Sequence, residues 1–375
     1  MSSPAPRVAF LFLGETLLIP HLYPIVEALA DEAPALRIEC WVATSVHERL
    51  IAGWLAESGL AGRVSLRRAP GFLDHPGLKR GENPPLPPKI PTLIRLLPHL
   101  LGAKAVVCAE QTSLWLPTAL PFLPIRFLKT SHGVGSMSAR DDRRRRAAWR
   151  LLVPSEQEKA TYTDRGVPPE RVVVTGYVKA GFRGLGHPPK LFPDDKPVIV
   201  YVPHWQRHRS SWWEWGREVV AMLAAQDRFN VILAPHQRLV EKAPEVREVL
   251  ASVAHLAHFH TDLDSFAMVD GSYMGAADLY LGDTSSQVVE YLIRPRPCLF
   301  LNAQGIDWRA TDDHGFWQCG EVVDRLEALP AALDRALAAH PRYEAEQRAF
   351  ASDALGDASE QAAHRAAAAV IEALS

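Results

Sequence analysis

The run Gly282-Asp283-Thr284-Ser285-Ser286-Gln287-Val288-Val289-Glu290-Tyr291 leaves an apolar segment for a helical one through small oxygen-bearing side chains. Thr284, Ser285 and Ser286 can cap that helix, whose free N–H groups and positive dipole end suit a phosphate or diphosphate. Glu290 follows Asp283 by seven residues, two helical turns, a spacing that suits a bidentate grip on ribose hydroxyls. Taken alone, the run is first of all a well-capped helix after a strand, and the anion site is the sharper alternative.

Two further polar segments follow apolar runs in the same half of the chain: Pro203-His204-Trp205-Gln206-Arg207-His208-Arg209 and Pro235-His236-Gln237-Arg238. Successive strands ending there deliver His and Arg to one sheet edge. Arg207, Arg209 and Arg238 would neutralise phosphate charge, and His236 would donate to a developing oxyanion. Each alone is as readily a solvated rim residue; their coincidence with the Ser285-Ser286 turn makes them one site with His204, Asp283 and Thr284. Trp205, with Trp212, Trp213 and Trp215, shapes an acceptor pocket or packs the loop as a small core. In the first half, Thr130-Ser131-His132-Gly133-Val134-Gly135-Ser136 closes another apolar run. Its glycines admit a ligand close to the backbone, with Gly133 and Ser136 on the acceptor side. His132, at a strand end, can act as general base near neutral pH, although structural histidines of this kind are common.

Short apolar runs alternate with amphipathic ones, the pattern of parallel βαβ units. Strands are expected at Val8–Leu13, Arg37–Val42, Val64–Arg68, Lys104–Ala109, Ile125–Lys129, Leu151–Val153 and Val172–Thr175. Helices His21–Glu32 and Val46–Ser58 lie between them. A second series has strands Val198–Val202, Asn230–Ala234, Ala257–His260, Asp278–Leu281 and Cys298–Asn302, with helices Gly216–Ala225, Leu239–Ser252 and Gln287–Ile293. The Gly- and Pro-rich stretch around Ala180–Lys196 separates residues 1–185, a linker 186–196, and residues 197–375. Glu321–Ser375 is Ala-rich and expected to be helical, able to pack back across the first domain. The expectation is α/β: two Rossmann-like doubly wound domains facing a central cleft, with ligands beyond the carboxyl ends of the strands.

With 41 basic and 43 acidic side chains in 375 residues, net charge −2, the whole molecule is no electrostatic nucleic-acid binder, so any anion site is local. Cys40, Cys108, Cys298 and Cys319 form no C-x-x-C pair and read as reduced core residues of a cytoplasmic protein. Val8–Leu13 is too short for a signal-peptide core, and no apolar run reaches the roughly 18 to 20 residues of a membrane span. Arg143–Arg146, with Trp149 and Arg150, reads as a solvated helical face, contact with an anionic membrane surface being the alternative. There is no G-x-x-x-x-G-K-[ST], H-E-x-x-H or G-x-S-x-G, nor a G-x-G-x-x-G after the first strand. No metal site or cofactor is called for.

In order, Ser131-His132-Gly133, Val153-Pro154-Ser155-Glu156, Thr175-Gly176-Tyr177, Tyr201-Val202-Pro203-His204-Trp205, Pro235-His236, Gly282-Asp283-Thr284-Ser285-Ser286 with Glu290, and Arg296-Pro297-Cys298-Leu299-Phe300 resemble the CDP-glycerol glycerophosphotransferase family, within the GT-B group of nucleotide-dependent glycosyltransferases. The resemblance spans Thr130 to Asn302. It implies transfer of a glycerophosphate or related group from a small nucleotide donor to an acceptor hydroxyl, lipid-linked or polymeric, in cell-surface polymer synthesis. It also implies His132 as the base, His236 beside the donor phosphates, Ser285 and Ser286 holding phosphate, and Glu290 on the ribose. A nucleotide-sugar glycosyltransferase would use the same groups. A GT-B-like sugar-nucleotide epimerase would need carboxylates such as Glu110 and Asp283, and a binding protein would tolerate loss of His132.

Overall fold

The computed structural model describes residues 5–132, 144–182, 189–285, 287–310 and 312–375. The chain divides into two compact units, residues 1–182 with 353–375, and residues 183–352.

The first unit is built on seven strands: β1 (Arg7–Phe12), β2 (Arg37–Thr44), β3 (Val64–Leu73), β4 (Ala105–Cys108), β5 (Arg126–Thr130), β6 (Arg150–Val153) and β7 (Val172–Val174). They pair in parallel, in the order β3-β2-β1-β4-β5-β6-β7. All seven expected strands are present within a residue or so at most ends; the central ones, β1, β2 and β4, are apolar runs buried on both faces, while β3, at the edge, is largely exposed. Helices Tyr23–Glu32, Ser45–Glu57, Lys89–Leu100 and Glu156–Asp164 cover the sheet. Ala9, Leu11, Val106, Cys108, Phe127 and Leu151 pack with Leu93, Leu96 and Leu100 in one apolar cluster. The final helix, Gln361–Glu372, packs on Tyr23–Glu32 through buried Ala362, Ala366, Ala367 and Val370. Gly176 makes the approach to this segment possible: its φ is 88°, and a Cβ there would lie 2.3 Å from the carbonyl oxygen of Asp357.

The second unit has β8 (Val198–Val202), β9 (Asn230–Leu233), β10 (Phe259–Thr261), β11 (Leu279–Gly282), β12 (Cys298–Leu301) and β13 (Glu321–Val323), all parallel, in the order β10-β9-β8-β11-β12-β13. Ile199, Tyr201, Val231, Leu233, Leu279, Leu281, Leu299 and Leu301 recur at every second position along their strands. They pack with Val219, Val220 and Leu223 of helix Trp212–Ala224 and Leu329, Ala332 and Leu333 of helix Leu329–Ala339. Both sheets follow the 3-2-1-4-5-6 order of a doubly wound fold, so their topological switch points lie between β1 and β4 and between β8 and β11.

Four expectations change. Leu239–Ser252 is two helices, Gln237–Lys242 and Glu245–Val253, because Pro244 lacks an N–H and pushes Ala243 out of the helical region. Glu321–Val323 is an edge strand rather than the start of a helical tail; three residues are too few to show periodicity. Helix Gln287–Tyr291 has five residues and stops short of Ile293. The arginine run forms no helical face: Arg145–Ala147 is a 3-10 turn, and Arg145 is buried over the ring of Tyr162 at 5.5 Å, while Arg143 lies outside the described residues. The four cysteines are buried free thiols, and burial pushes Cys108 up to about 12. Among the described residues no helix is long and apolar enough to cross a membrane.

Candidate active site

The carboxyl ends of β8 and β11, which flank the second unit's switch point, are tied together by one carboxylate. Asp283 follows β11 and is 2% exposed. Its Oδ1 accepts from the backbone N–H of His204 at 2.8 Å and of Thr284 at 2.7 Å; its Oδ2 accepts from the N–H of Ser211 at 2.6 Å and the Ser211 hydroxyl at 2.9 Å. The Thr284 hydroxyl donates to the carbonyl of Arg209 at 2.7 Å, and the Trp317 indole N–H donates to the carbonyl of Asp283 at 3.2 Å. The loop His204–Ser211 is thereby held over the end of β11. Burial pushes the Asp283 carboxyl up to about 7 in spite of those donors, which favour the anion. Both oxygens being occupied, Asp283 fixes the loop and offers no open face to a ligand.

Two histidines stand on adjacent strand ends with their rings fixed alike. His204 Nδ1 accepts from the N–H of Gln206 at 3.0 Å, and His236 Nδ1 accepts from the N–H of Arg238 at 3.1 Å, where it caps helix Gln237–Lys242. An Nδ1 that accepts carries no proton, so each neutral ring bears its proton on Nε2 and is a donor there. Burial, followed by the charge of Arg209, holds His204 down at about 3, neutral at pH 7. His204 stacks on Trp205 with centroids 5.6 Å apart. The guanidinium of Arg238 and the ammonium of Lys242 lie 4.9 and 4.6 Å from the Trp205 ring, so the indole's faces serve cations and the apolar cluster beneath. Arg207 is exposed on the 3-10 turn Arg207–Arg209.

The oxygen-rich turn follows Gly282, where a Cβ would meet the Tyr280 hydroxyl at 2.6 Å, so only glycine lets the strand end here over Tyr280. Ser285 Oγ accepts from the N–H of Gln287 at 3.3 Å, the helix cap expected of it. Ser286 lies outside the described residues, as do Gly133 and Ser136. Glu290 is 7% exposed, in the buried helix Gln287–Tyr291 rather than on an open face. With five residues, that helix contributes little dipole, so an anion here would rely on the turn's own N–H and hydroxyl donors.

One network on the same edge leaves only a faint local trace. After β10, Asp262 accepts from the N–H groups of Asp264 and Ser265 at 2.9 and 3.0 Å, from the Ser265 hydroxyl, and from the Tyr273 hydroxyl at 2.5 Å, with His260 Nε2 3.0 Å from that same hydroxyl. Burial opposes ionisation of Asp262, but the donors of Ser265 and Tyr273 outweigh it and hold the carboxyl below its ordinary value. The signal was Asp262-Leu263-Asp264-Ser265, an Asx-turn spacing.

In the first unit, His132 follows β5 and its Nδ1 is 3.0 Å from the carbonyl oxygen of Ala109, at the end of β4. A carbonyl only accepts, so Nδ1 is protonated and Nε2 carries the lone pair. Burial, with the charge of Lys129 next, lowers His132 to about 3. Glu110 is 4% exposed; its Oε2 pairs with Lys89 at 2.8 Å and its Oε1 accepts from the Ser113 hydroxyl at 3.0 Å. His47, wholly buried, donates from Nε2 to the Gly14 carbonyl at 2.9 Å and so accepts at Nδ1 from the Thr44 hydroxyl at 2.8 Å, linking β2 to the end of β1.

No family model matches the chain and no curated protein matches it. Solved structures do. The wall teichoic acid polymerase TagF aligns with a TM-score of 0.64 and 15% identity, covering 99% of this chain and 89% of its own. A putative UDP-N-acetylglucosamine 2-epimerase from Listeria monocytogenes aligns at 0.62 and 16% identity, over 100% and 96% of the two chains. UDP-GlcNAc 2-epimerase from Neisseria meningitidis bound to UDP-GlcNAc aligns at 0.60 and 13%, over 99% of each. The likeness runs the length of the chain, and at these identities it is one of fold: two Rossmann-like units of the GT-B type, as the pattern of strands and helices leads one to expect.

Proposed function

We propose that the protein is a nucleotide-dependent transferase that moves a glycerophosphate or related group from a CDP-glycerol-type donor to an acceptor hydroxyl. The observation that carries this is the opposed tautomers of its histidines. His132 has a lone pair at Nε2, as a base requires, whereas His204 and His236 have Nε2–H donors, as stabilisation of a departing phosphate requires. Ser285, Ser286 and Thr284 are assigned to the donor-phosphate seat with Arg207 and Arg238, and Glu290, although 7% exposed in its helix, to the ribose, while Asp283 positions the loop that carries His204. Gly133, Ser136 and Trp205 are assigned to the acceptor side, as the sequence suggests.

In the reaction, Nε2 of His132 takes the proton of the acceptor hydroxyl, the oxygen attacks the outer phosphorus, and the bond to the CMP oxygen breaks. The charge gathering on CMP is met by the two imidazole N–H groups and the turn. A soak of TagF with CDPG is in keeping with such a donor. The second reading, a 2-epimerase acting on a sugar nucleotide, draws on likeness of the same degree. Glu110 is the carboxylate it would use, and both its oxygens are engaged by Lys89 and Ser113. Calorimetric titration with CMP, CDP, UDP and GDP tests the donor: a preference for cytidine nucleotides is expected, and a preference for UDP or GDP would favour the second reading.

A further inference from the structure

Helix Lys89–Leu100 carries two apolar faces, and the core of the first unit uses one of them. Leu93, Leu96 and Leu100 are wholly buried in the cluster beneath the sheet. Ile90, Ile94, Leu97 and Leu101 recur at i, i+4, i+7 and i+11 and form a second stripe beside the first. Ile90 is 39% exposed, Ile94 53% and Leu101 55%, with Leu97 half-buried where the two faces meet. The rest of the helix surface holds Arg95 and His99, both exposed, and no acid. From residue 83 to residue 140 the chain has a single acid, Glu110, which is buried and paired with Lys89.

The same character continues across the neighbouring segment. Helix Trp115–Ala119 packs beside helix Lys89–Leu100, and its Leu116 joins Ile125 and Ala148 in the cluster that holds Leu93 and Leu96. In the turn that follows, Phe122 is 78% exposed between exposed Pro121 and Pro124. Four of the six large apolar side chains exposed among the described residues thus fall on these adjoining pieces, which is a patch rather than scatter. An open groove of about 750 Å³ adjoins the turn, lined by Pro121, Leu123, Arg126, Trp149 and Arg171 among others, with no acid in its lining. The Trp149 ring lies 5.1 Å from the guanidinium of Arg126 and 4.7 Å from that of Arg150. Among the described residues none of Arg95, Lys104, Arg126 and Arg171 forms an ion pair; Glu372 meets Arg126 through its backbone carbonyl, at 3.4 Å.

Charge selects what covers this patch. A second copy docked by the same face would bring two sets of arginine and lysine together with no acid to answer them. An apolar stripe edged by long-stemmed cations suits the interface of an anionic bilayer: aliphatic side chains enter the acyl boundary, guanidinium and ammonium groups reach the headgroup phosphates, and an indole sits between the two levels. We propose that this flank of the first unit, helix Lys89–Leu100 with residues 121–124 and the groove of Arg126 and Trp149, docks on an anionic lipid surface. The docking does not rest on the transfer reaction proposed above.

The test sediments the whole chain with vesicles of phosphatidylcholine alone and of phosphatidylcholine mixed with phosphatidylglycerol. Binding to the mixed vesicles is expected, at least about tenfold stronger than to the neutral ones and weakened by salt. Ile94→Gln with Phe122→Gln, and separately Arg95→Gln with Lys104→Gln, should each weaken it about tenfold or more, whereas Leu337→Gln, at an exposed leucine of the second unit, should leave it unchanged. The substituted side chains are exposed, so melting temperature and nucleotide affinity should match the wild type; a failed transfer reading would appear in turnover and leave vesicle binding intact. No binding to the mixed vesicles overturns the proposal, as does binding that Ile94→Gln with Phe122→Gln leaves whole or that Leu337→Gln weakens equally. A dimer dispersed by Ile94→Gln with Phe122→Gln, in a protein indifferent to vesicles, would give the face to a second copy and overturn it as well.

Discussion

His132 donates its Nδ1 proton to the carbonyl oxygen of Ala109 across 3.0 Å, linking the end of β5 to the end of β4 and leaving Nε2 as an acceptor. His204 and His236, each accepting a backbone N–H at Nδ1, are turned the other way. In the unliganded protein His132 is a weak base, lowered to about 3 by burial and then by Lys129.

Replacing His132 with glutamine keeps a similar volume and removes the base. Turnover should fall about 10²- to 10⁴-fold, the usual worth of a general base. Nucleotide affinity, measured by calorimetry, should stay within about twofold, since His132 is not among the residues proposed to hold the donor. Unchanged turnover would remove His132 from the mechanism.

Asp283→Asn puts an N–H₂ where protein donors converge. One buried acceptor is lost and donors are left unsatisfied, at a cost of about 2 to 4 kcal/mol. The urea midpoint should drop accordingly, and nucleotide affinity should fall with it as the His204 loop loosens. A stable variant with normal affinity would mean that the loop holds its place without this carboxylate.

Ser285→Ala with Ser286→Ala is expected to weaken nucleotide binding about tenfold, equivalent to roughly 1.4 kcal/mol. Loss of the cap to Gln287 alone should cost the fold about 1 kcal/mol. If affinity is unaltered and only stability changes, the turn is a helix cap and nothing more.

Most strands were legible because parallel strands buried on both faces are continuous apolar runs; the edge strands β3 and β10 are more polar and half-exposed, and β13 has only three residues. His204 and His236 were legible for the same reason, each following such a run by a residue or two. The orientation of their rings was not, since it depends on which backbone group lies within reach: Ala109 for His132, Gln206 and Arg238 for the others. Asp283 stood out as a site residue, but its commitment to Ser211 and His204 comes from chain 72 and 79 residues away and leaves no local trace. Arg145 looked solvated because its neighbours are charged; its place over Tyr162 depends on a helix that follows later in the chain.

Acid should unfold the protein through its buried neutral histidines, His47 among them. Burial lowers His47 to about 4 against an ordinary value of 6.5, the bond to Gly14 only partly offsetting it. A group whose folded value is depressed stabilises the fold above its unfolded value and loses that contribution as pH falls. Between pH 7 and pH 4 the loss from His47 is about 3 kcal/mol. Urea unfolding at both pH values should show a smaller loss for His47→Gln than for the wild type; equal losses would place the acid sensitivity elsewhere.

Transfer from a nucleotide donor is tested most sharply by product analysis with CDP-glycerol and UDP-GlcNAc supplied separately, each with a polyol acceptor. CMP release from CDP-glycerol that requires the acceptor and is lost in His132→Gln is expected. Conversion of UDP-GlcNAc to its C2 epimer, with no CMP formed from CDP-glycerol, would contradict it.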